Sequence, residues 1–343
     1  MTELLLVQTA EIPFGRLADF DLVTTGAGPL LVGTHPAGGV CTWDPLRDRW
    51  AVHRLDSPWR PGDETGGPAA LSALGALVVD GRLVVGGGSD DQPFAQWDLD
   101  SGAVRVFADP DDYGVEAVGA PELPGRSLFL VSPEAEAVAV WDAAADGGTG
   151  ERSGDLNARY DRTAATGMLN DRPTLVTRDE DGGPIWVWDL DKRARLGNFD
   201  TELATEAGAE MLTSFALTNV GGRPRPVAAG GCGTLVLGDF DRGTWGEPFA
   251  GSEPHDEMDT MVSVGAVDGL PIAVTGTDDP YPAPDFTSLI RAWDLERGRA
   301  LGRPVTAHVG GMIGVRLTEL DGRPLAVTVG RRDASVRVWA LDR

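Results

Sequence analysis

The chain has 343 residues, 42% of them apolar, and a formal net charge of −24. That length holds one large domain or two ordinary ones with a full core. The acidity argues against nucleic acid and anionic lipid as partners and suits basic proteins, cationic ligands or metal ions. Cys41 and Cys232 lie far apart with no metal-type spacing, and the expectation is buried thiols in a reducing compartment. The N-terminal stretch has no basic region before its short apolar run, so it does not read as a signal peptide. No run of about 18 apolar residues offers a membrane span, and the expected compartment is the cytoplasm.

In chain order, the first strand-like run is "ELLLVQTA", Glu3 to Ala10, which belongs to none of the repeating units downstream. An apolar-x-apolar-Trp-Asp pattern then recurs at Trp43-Asp44, Trp97-Asp98, Trp141-Asp142, Trp188-Asp189 and Trp293-Asp294. Gly238-Asp239 fills the gap in the series, and Trp339-Ala340 closes it. The steps are 54, 44, 47, 50, 55 and 46 residues, which defines seven units. Each unit shows four strand-like runs, clearest in the sixth: "MVSVGAVDG", "LPIAVTG", "LIRAWDL" and "ALGRPV". Asp80-Gly81, Asp268-Gly269 and Asp321-Gly322 are hairpin signals, because both residue types tolerate positive φ. No helical periodicity of useful length appears. The last unit, ending in "SVRVWALDR", has only three runs. Glu3–Ala10 is therefore expected to pair beside Val336–Leu341 and close the ring. The predicted fold is an all-β, seven-bladed β-propeller with four antiparallel strands per blade, spanning residues 1–343 as one domain.

The segment "TELDGRPLAVTVGRRDASVRVWALD", Thr318 to Asp342, resembles the WD40 repeats abundant in actinobacteria. The resemblance implies a hydrogen-bond network of His, turn Asp, strand hydroxyl and Trp. His308 and His255 are the candidates for its histidine, Asp333 and Asp91 for its turn acid. Thr328 reads one position off the hydroxyl slot, so most blades are expected to rely on packing instead. Gly238 leaves a gap where a Trp would sit, which Trp245 is expected to fill. Trp186 is expected in the core between blades.

The resemblance also sorts the loops by face. The upper inter-blade loops hold 17 acids against three arginines, with an acid expected immediately before the inner strand in most of them: Glu64, Glu116, Asp161, Glu210 and Asp259. Asp19 and Asp21 sit near the start of the first inner strand. A loose ring of carboxylates around the channel mouth is expected, with arginine concentrated in the lower turns. Trp59, Tyr113 and Tyr160 share the acidic loops, and Tyr281 and Phe286 belong to a stiff insertion, Thr277 to Ser288, in the sixth unit. Aromatics rimmed by acids fit a basic protein or peptide. These ten residues are the candidate binding site of a non-catalytic interaction scaffold, monomeric or part of a larger complex. No hydrolase, P-loop or dinucleotide-binding motif occurs. The alternative is an enzyme or small-ligand site at the channel mouth, where converging carboxylates would hold Ca²⁺.

Overall fold

The computed structural model describes residues 3–58, 69–90, 92–106, 114–133, 138–144, 152–155, 161–169, 172–179, 184–199, 212–230, 233–250, 259–279, 283, 285–320 and 322–342. Among them there is no helix. The fold is the expected β-propeller of seven antiparallel sheets, each built from four strands in order, with one extra short strand in the third. The chain divides into two compact units, Leu17–Thr163 and Met1–Arg16 with Ala164–Arg343.

The first unit carries blades one to three. Blade one comprises Phe20–Thr25, Gly28–Thr34, Val40–Asp44 and Arg49–His53. Blade two comprises Ala73–Val79, Arg82–Ser89, Gln92–Asp98 and Val104–Val106. Blade three comprises Val115–Gly119, Arg126–Pro133, Ala139–Asp142 and Arg152–Asp155, with Glu122–Leu123 folded back on its second strand.

The second unit carries the other four blades. Blade four is Asp161–Leu169, Arg172–Asp179, Ile185–Asp189 and Ala194–Phe199. Blade five is Leu212–Val220, Arg223–Gly230, Leu235–Asp239 and Thr244–Trp245. Blade six is Asp259–Val267, Leu270–Asp278, Thr287–Asp294 and Arg299–Val309. Blade seven is Met312–Leu320, Arg323–Gly330 and Ser335–Asp342, completed by Glu3–Glu11.

Local chemistry accounts for the strands and their turns. Second and third strands are buried on both faces and read as near-continuous Val, Leu, Ala and Gly runs, as between Arg82 and Asp98. The Asp-Gly turns take positive φ at both residues, 51° and 77° at Asp80-Gly81 and 48° and 78° at Asp268-Gly269. That mirror-image turn matches the right-handed twist of a two-residue hairpin. The N-terminal strand is in place as expected, antiparallel from Glu3 opposite Asp342 to Glu11 opposite Ser335, with a bulge at Val7. Leu4 and Ala10 are buried by it, and Leu4 joins a cluster with Val274, Ile290, Trp339 and Leu341.

Blade five solves its missing tryptophan from the neighbouring strand. Gly238 pairs with Trp245, whose indole lies near the glycine and within 5.0 Å (ring centroids) of Phe199. A Cβ built on Gly238 would stand 2.4 Å from Pro226 Cγ and 2.9 Å from Phe199, so the site is already full. Trp186 departs from expectation. It is half-buried and lies under the Arg195 guanidinium, 3.8 Å from the ring centroid, a cation–π contact with the blade's own outer strand.

Candidate functional site

The end of each blade at which the inner strand begins is here called the upper end. At the lower end, the aspartate of each Trp-Asp pair caps the turn after it. Asp44 Oδ1 accepts from the backbone N–H of Leu46 and Arg47, Asp98 from Asp100 and Ser101, and Asp189 from Asp191 and Lys192. The second carboxylate oxygen draws an arginine: Arg82 lies 2.9 Å from Asp98, Arg225 3.1 Å from Asp239 and Arg297 2.7 Å from Asp294. Burial works against ionisation of Asp98 and Asp239, but these N–H donors and arginines outweigh it and hold both below the usual carboxylate range. Much of the lower-turn arginine therefore neutralises the repeat's own aspartates.

The tryptophans use two schemes. In blades four, six and seven the indole N–H donates to a threonine on the same blade's second strand: Trp188 to Thr177 at 2.8 Å, Trp293 to Thr275 at 2.8 Å and Trp339 to Thr328 at 3.0 Å. Thr328 is thus in the slot, and the sequence expectation that it falls one position off is corrected. The threonine stands diagonally across the pair of strands, opposite Arg337 rather than opposite Trp339 itself. In the first unit the partners differ. Trp43 donates to Asp48 Oδ1 at 3.0 Å, Trp97 to the Asp56 carbonyl at 3.1 Å, and Trp141 to Gln96 Oε1 of blade two at 3.3 Å.

Blade seven extends its Trp–Thr bond into a buried polar chain at the upper end. Thr328 Oγ1 lies 2.8 Å from His308 Nε2, and His308 Nδ1 lies 3.0 Å from Asp333. Ser335 Oγ donates to Asp333 at 3.0 Å. His308 and Thr328 have no exposed surface. Partial burial would raise Asp333, but the His308 bond and charge, then Ser335 and Arg337, hold it below the usual carboxylate range. Beside this chain Asp278 ties blade six to blade seven: it accepts from Met312 N at 2.9 Å and pairs with Arg331.

The inner strands are stapled to one another by side chains. Asp19 Oδ2 accepts from Leu74 N at 2.9 Å and Asp21 Oδ2 from Ala76 N at 3.0 Å, so both carboxylates hold blade one against blade two. Ser214 and Ser263 do the same with Val262 N and Leu317 N, at 3.1 and 3.0 Å. At the place of Asp21 blade two has Gly75, where a Cβ would stand 2.9 Å from Ala120 Cβ. There close backbone approach replaces the staple. Asp19 and Asp21 thus bond to protein N–H groups at the place where the sequence expectation had them lining a channel mouth.

Of the ten candidate binding residues, Trp59, Glu64, Tyr113, Tyr160, Glu210 and Tyr281 lie outside the described residues. Asp161 and Asp259 are each the first residue of an inner strand, in blades four and six, rather than the residue before it. Glu116, half-buried, occupies the bulge between Val115 and Ala117 at the same end of blade three. Phe286, half-buried, ends the blade-six insertion and accepts at its carbonyl from Gly310 N at 2.7 Å. Among the described residues no group of three or more His, Cys, Asp or Glu is arranged to hold a metal ion. No described helix is long and apolar enough to cross a membrane.

Two cavities were not foreseen. One of about 810 Å³ lies in the first unit at the lower end, between the inner hairpins of blades one and two and the extra turn of blade three, Ala120 to Leu128. The other, about 480 Å³, lies between blades four and five. The run "PELPGR" could have signalled the first, since two prolines interrupt a hairpin that is two residues long elsewhere.

No family model matches the chain, and no curated protein does. Among solved structures 1120 chains match. One is the crystal structure of the computationally designed Ika8 protein, with a TM-score of 0.58 and 18% identity over 98% of this chain and 100% of that one. At that identity the likeness is one of fold.

Proposed function

We propose that the chain is a WD40-type interaction scaffold of the cytoplasm, non-catalytic, whose upper face binds a basic protein or peptide. The repeat type is supported by blade seven, where Trp339, Thr328, His308 and Asp333 form one continuous polar chain. The observation that carries the binding mode is the recurrence of an acid at one place in the blade. Asp161 and Asp259 open their inner strands and Glu116 sits in the bulge that opens another. A chain with net charge −24 adds long-range attraction for a basic partner.

The test is fluorescence anisotropy with an arginine-rich peptide across a salt series. Replacing Glu116, Asp161 and Asp259 by lysine should weaken binding at least about tenfold and flatten its salt dependence. Reversing three lower-end acids, Asp80, Asp100 and Asp268, should leave it nearly unchanged. Equal losses in the two triple variants would mean that net charge alone attracts the peptide, and the upper-face reading would fall.

A further inference from the structure

The cavity between blades four and five differs in charge from the rest of this acidic chain. Its walls carry Arg172, Arg223 and Arg225 against Asp239 and Asp241, with Phe199 and Phe240 beside them, so arginine is in excess there. In blade two the arginine that opens the second strand belongs to the Trp-Asp aspartate: Arg82, first residue of its strand, pairs with Asp98 at 2.9 Å. Arg223 holds the same place in blade five, and Asp239 is the aspartate it should meet. But Asp239 is taken by Arg225, 3.1 Å away, which also donates to the Gly238 carbonyl at 3.1 Å. Among the described residues Arg223 is left with no ion pair. Arg172 is only loosely committed, since its guanidinium stands 4.0 Å from Asp189, whose nearest oxygen has no hydrogen-bond partner there.

We infer that this cavity binds a small organic oxyanion, a carboxylate or phosphate ester carried on a flat apolar body. Arg223 and Arg172 present fork-shaped donors that match an oxyanion's geometry. Phe199 and Phe240, in edge contact at 5.2 Å, supply an apolar wall together with Leu196 and Val187. The volume, about 480 Å³, suits a ring and its head group rather than a polymer. Of the two acids in the wall Asp239 is neutralised by Arg225, which leaves Asp241 against Arg172 and Arg223, and charges beyond about 8 Å are largely screened at physiological salt.

The experiment uses the full chain and three probes at matched ionic strength: inorganic phosphate, phenyl phosphate and phenol. Thermal shift and calorimetry should show phenyl phosphate binding best, inorganic phosphate more weakly and phenol not measurably. Arg223→Ala should keep the melting temperature of the unliganded protein and weaken phenyl phosphate at least about tenfold. Arg223→Lys should recover only part of that loss, because a point charge lacks the fork. No binding of phenyl phosphate, or equal binding by the wild type and Arg223→Ala, overturns the proposal. Because the upper-face acids take no part, this result stands or falls separately from the peptide experiment.

Discussion

Blades one to three and blades four, six and seven satisfy the same buried group in different ways. In the second set three indoles donate to a threonine of their own sheet. In the first set the indole reaches a turn carboxylate, a carbonyl in the preceding inter-blade segment, or a glutamine of the preceding blade. The reason is visible at the threonine's place. Blades one and two have Gly33 and Gly87 there, and a Cβ would meet Leu17 at 2.5 Å or the Ala73 carbonyl at 2.8 Å. A leucine side chain in blade one and the backbone in blade two take the room that a hydroxyl uses in blade seven. A buried N–H favours an acceptor, and Trp97 and Trp141, whose own blades offer none, reach back to the segment or blade before them, whereas Trp245 of blade five has no partner among the described residues. Local self-sufficiency and coupling between blades are thus alternative outcomes of one demand.

The widest break in this contrast is the N-terminal strand, because blade seven is self-sufficient in its indole bond and yet borrows its outermost strand. Removing residues 2–10 should cost on the order of 4 kcal/mol or more, or prevent folding, since it strips a full ladder and uncovers the buried edge of the Trp339 strand. Replacing residues 279–286 by a short Gly-Ser turn should cost roughly 1 kcal/mol, as loop length is a weak term. Equal losses in urea denaturation would show that the N-terminal strand is not what completes blade seven.

A smaller effect sharpens the comparison among the threonine blades. Thr328→Val strands two buried groups, the Trp339 N–H and His308 Nε2, and should cost about 2–4 kcal/mol. Thr275→Val should cost about half as much, because among the described residues its hydroxyl is bonded by the Trp293 indole alone. If the two variants melt alike, the His308 link contributes nothing measurable.

The smallest effect is in pH. Asp333 has its folded-state value lowered, so its contribution is complete above the ordinary carboxylate value of about 4. It is lost as pH falls through the lower folded value, because the unfolded chain then binds the proton more readily. Asp333→Asn should therefore flatten the acid limb of the stability curve below about pH 4 while lowering the neutral plateau. An unchanged acid limb would remove Asp333 from the account.

The repeat was legible because Trp, Asp and Gly mark fixed places in each blade, and so was the N-terminal strand, because the count left one run without a partner. The exchange between Gly238 and Trp245 could also be read, since adjacent strands leave few candidates for a vacant core position. What stayed hidden depends on register. Thr328 reads as misplaced when its position is counted along the strand, but the bond runs diagonally between strands, and that offset is set by three-dimensional pairing. Asp19 and Asp21 read as mouth-lining acids because spacing cannot show that the next blade's N–H groups lie within their reach. The arginine cavity was hidden for the same reason. Spacing along the strand cannot show that Arg225, not Arg223, meets Asp239.

That glycine also limits how blade five can change. Restoring a tryptophan at position 238 would drive it into Pro226 and Phe199. Removing Trp245 first would open a hole beside Phe199 and Phe215. Neither single step is tolerable, although the end state is the one five sister blades already occupy, and blade one keeps a tryptophan at both places. Positions 238 and 245 are thus one unit of substitution, in which either half changed alone is blocked by the other.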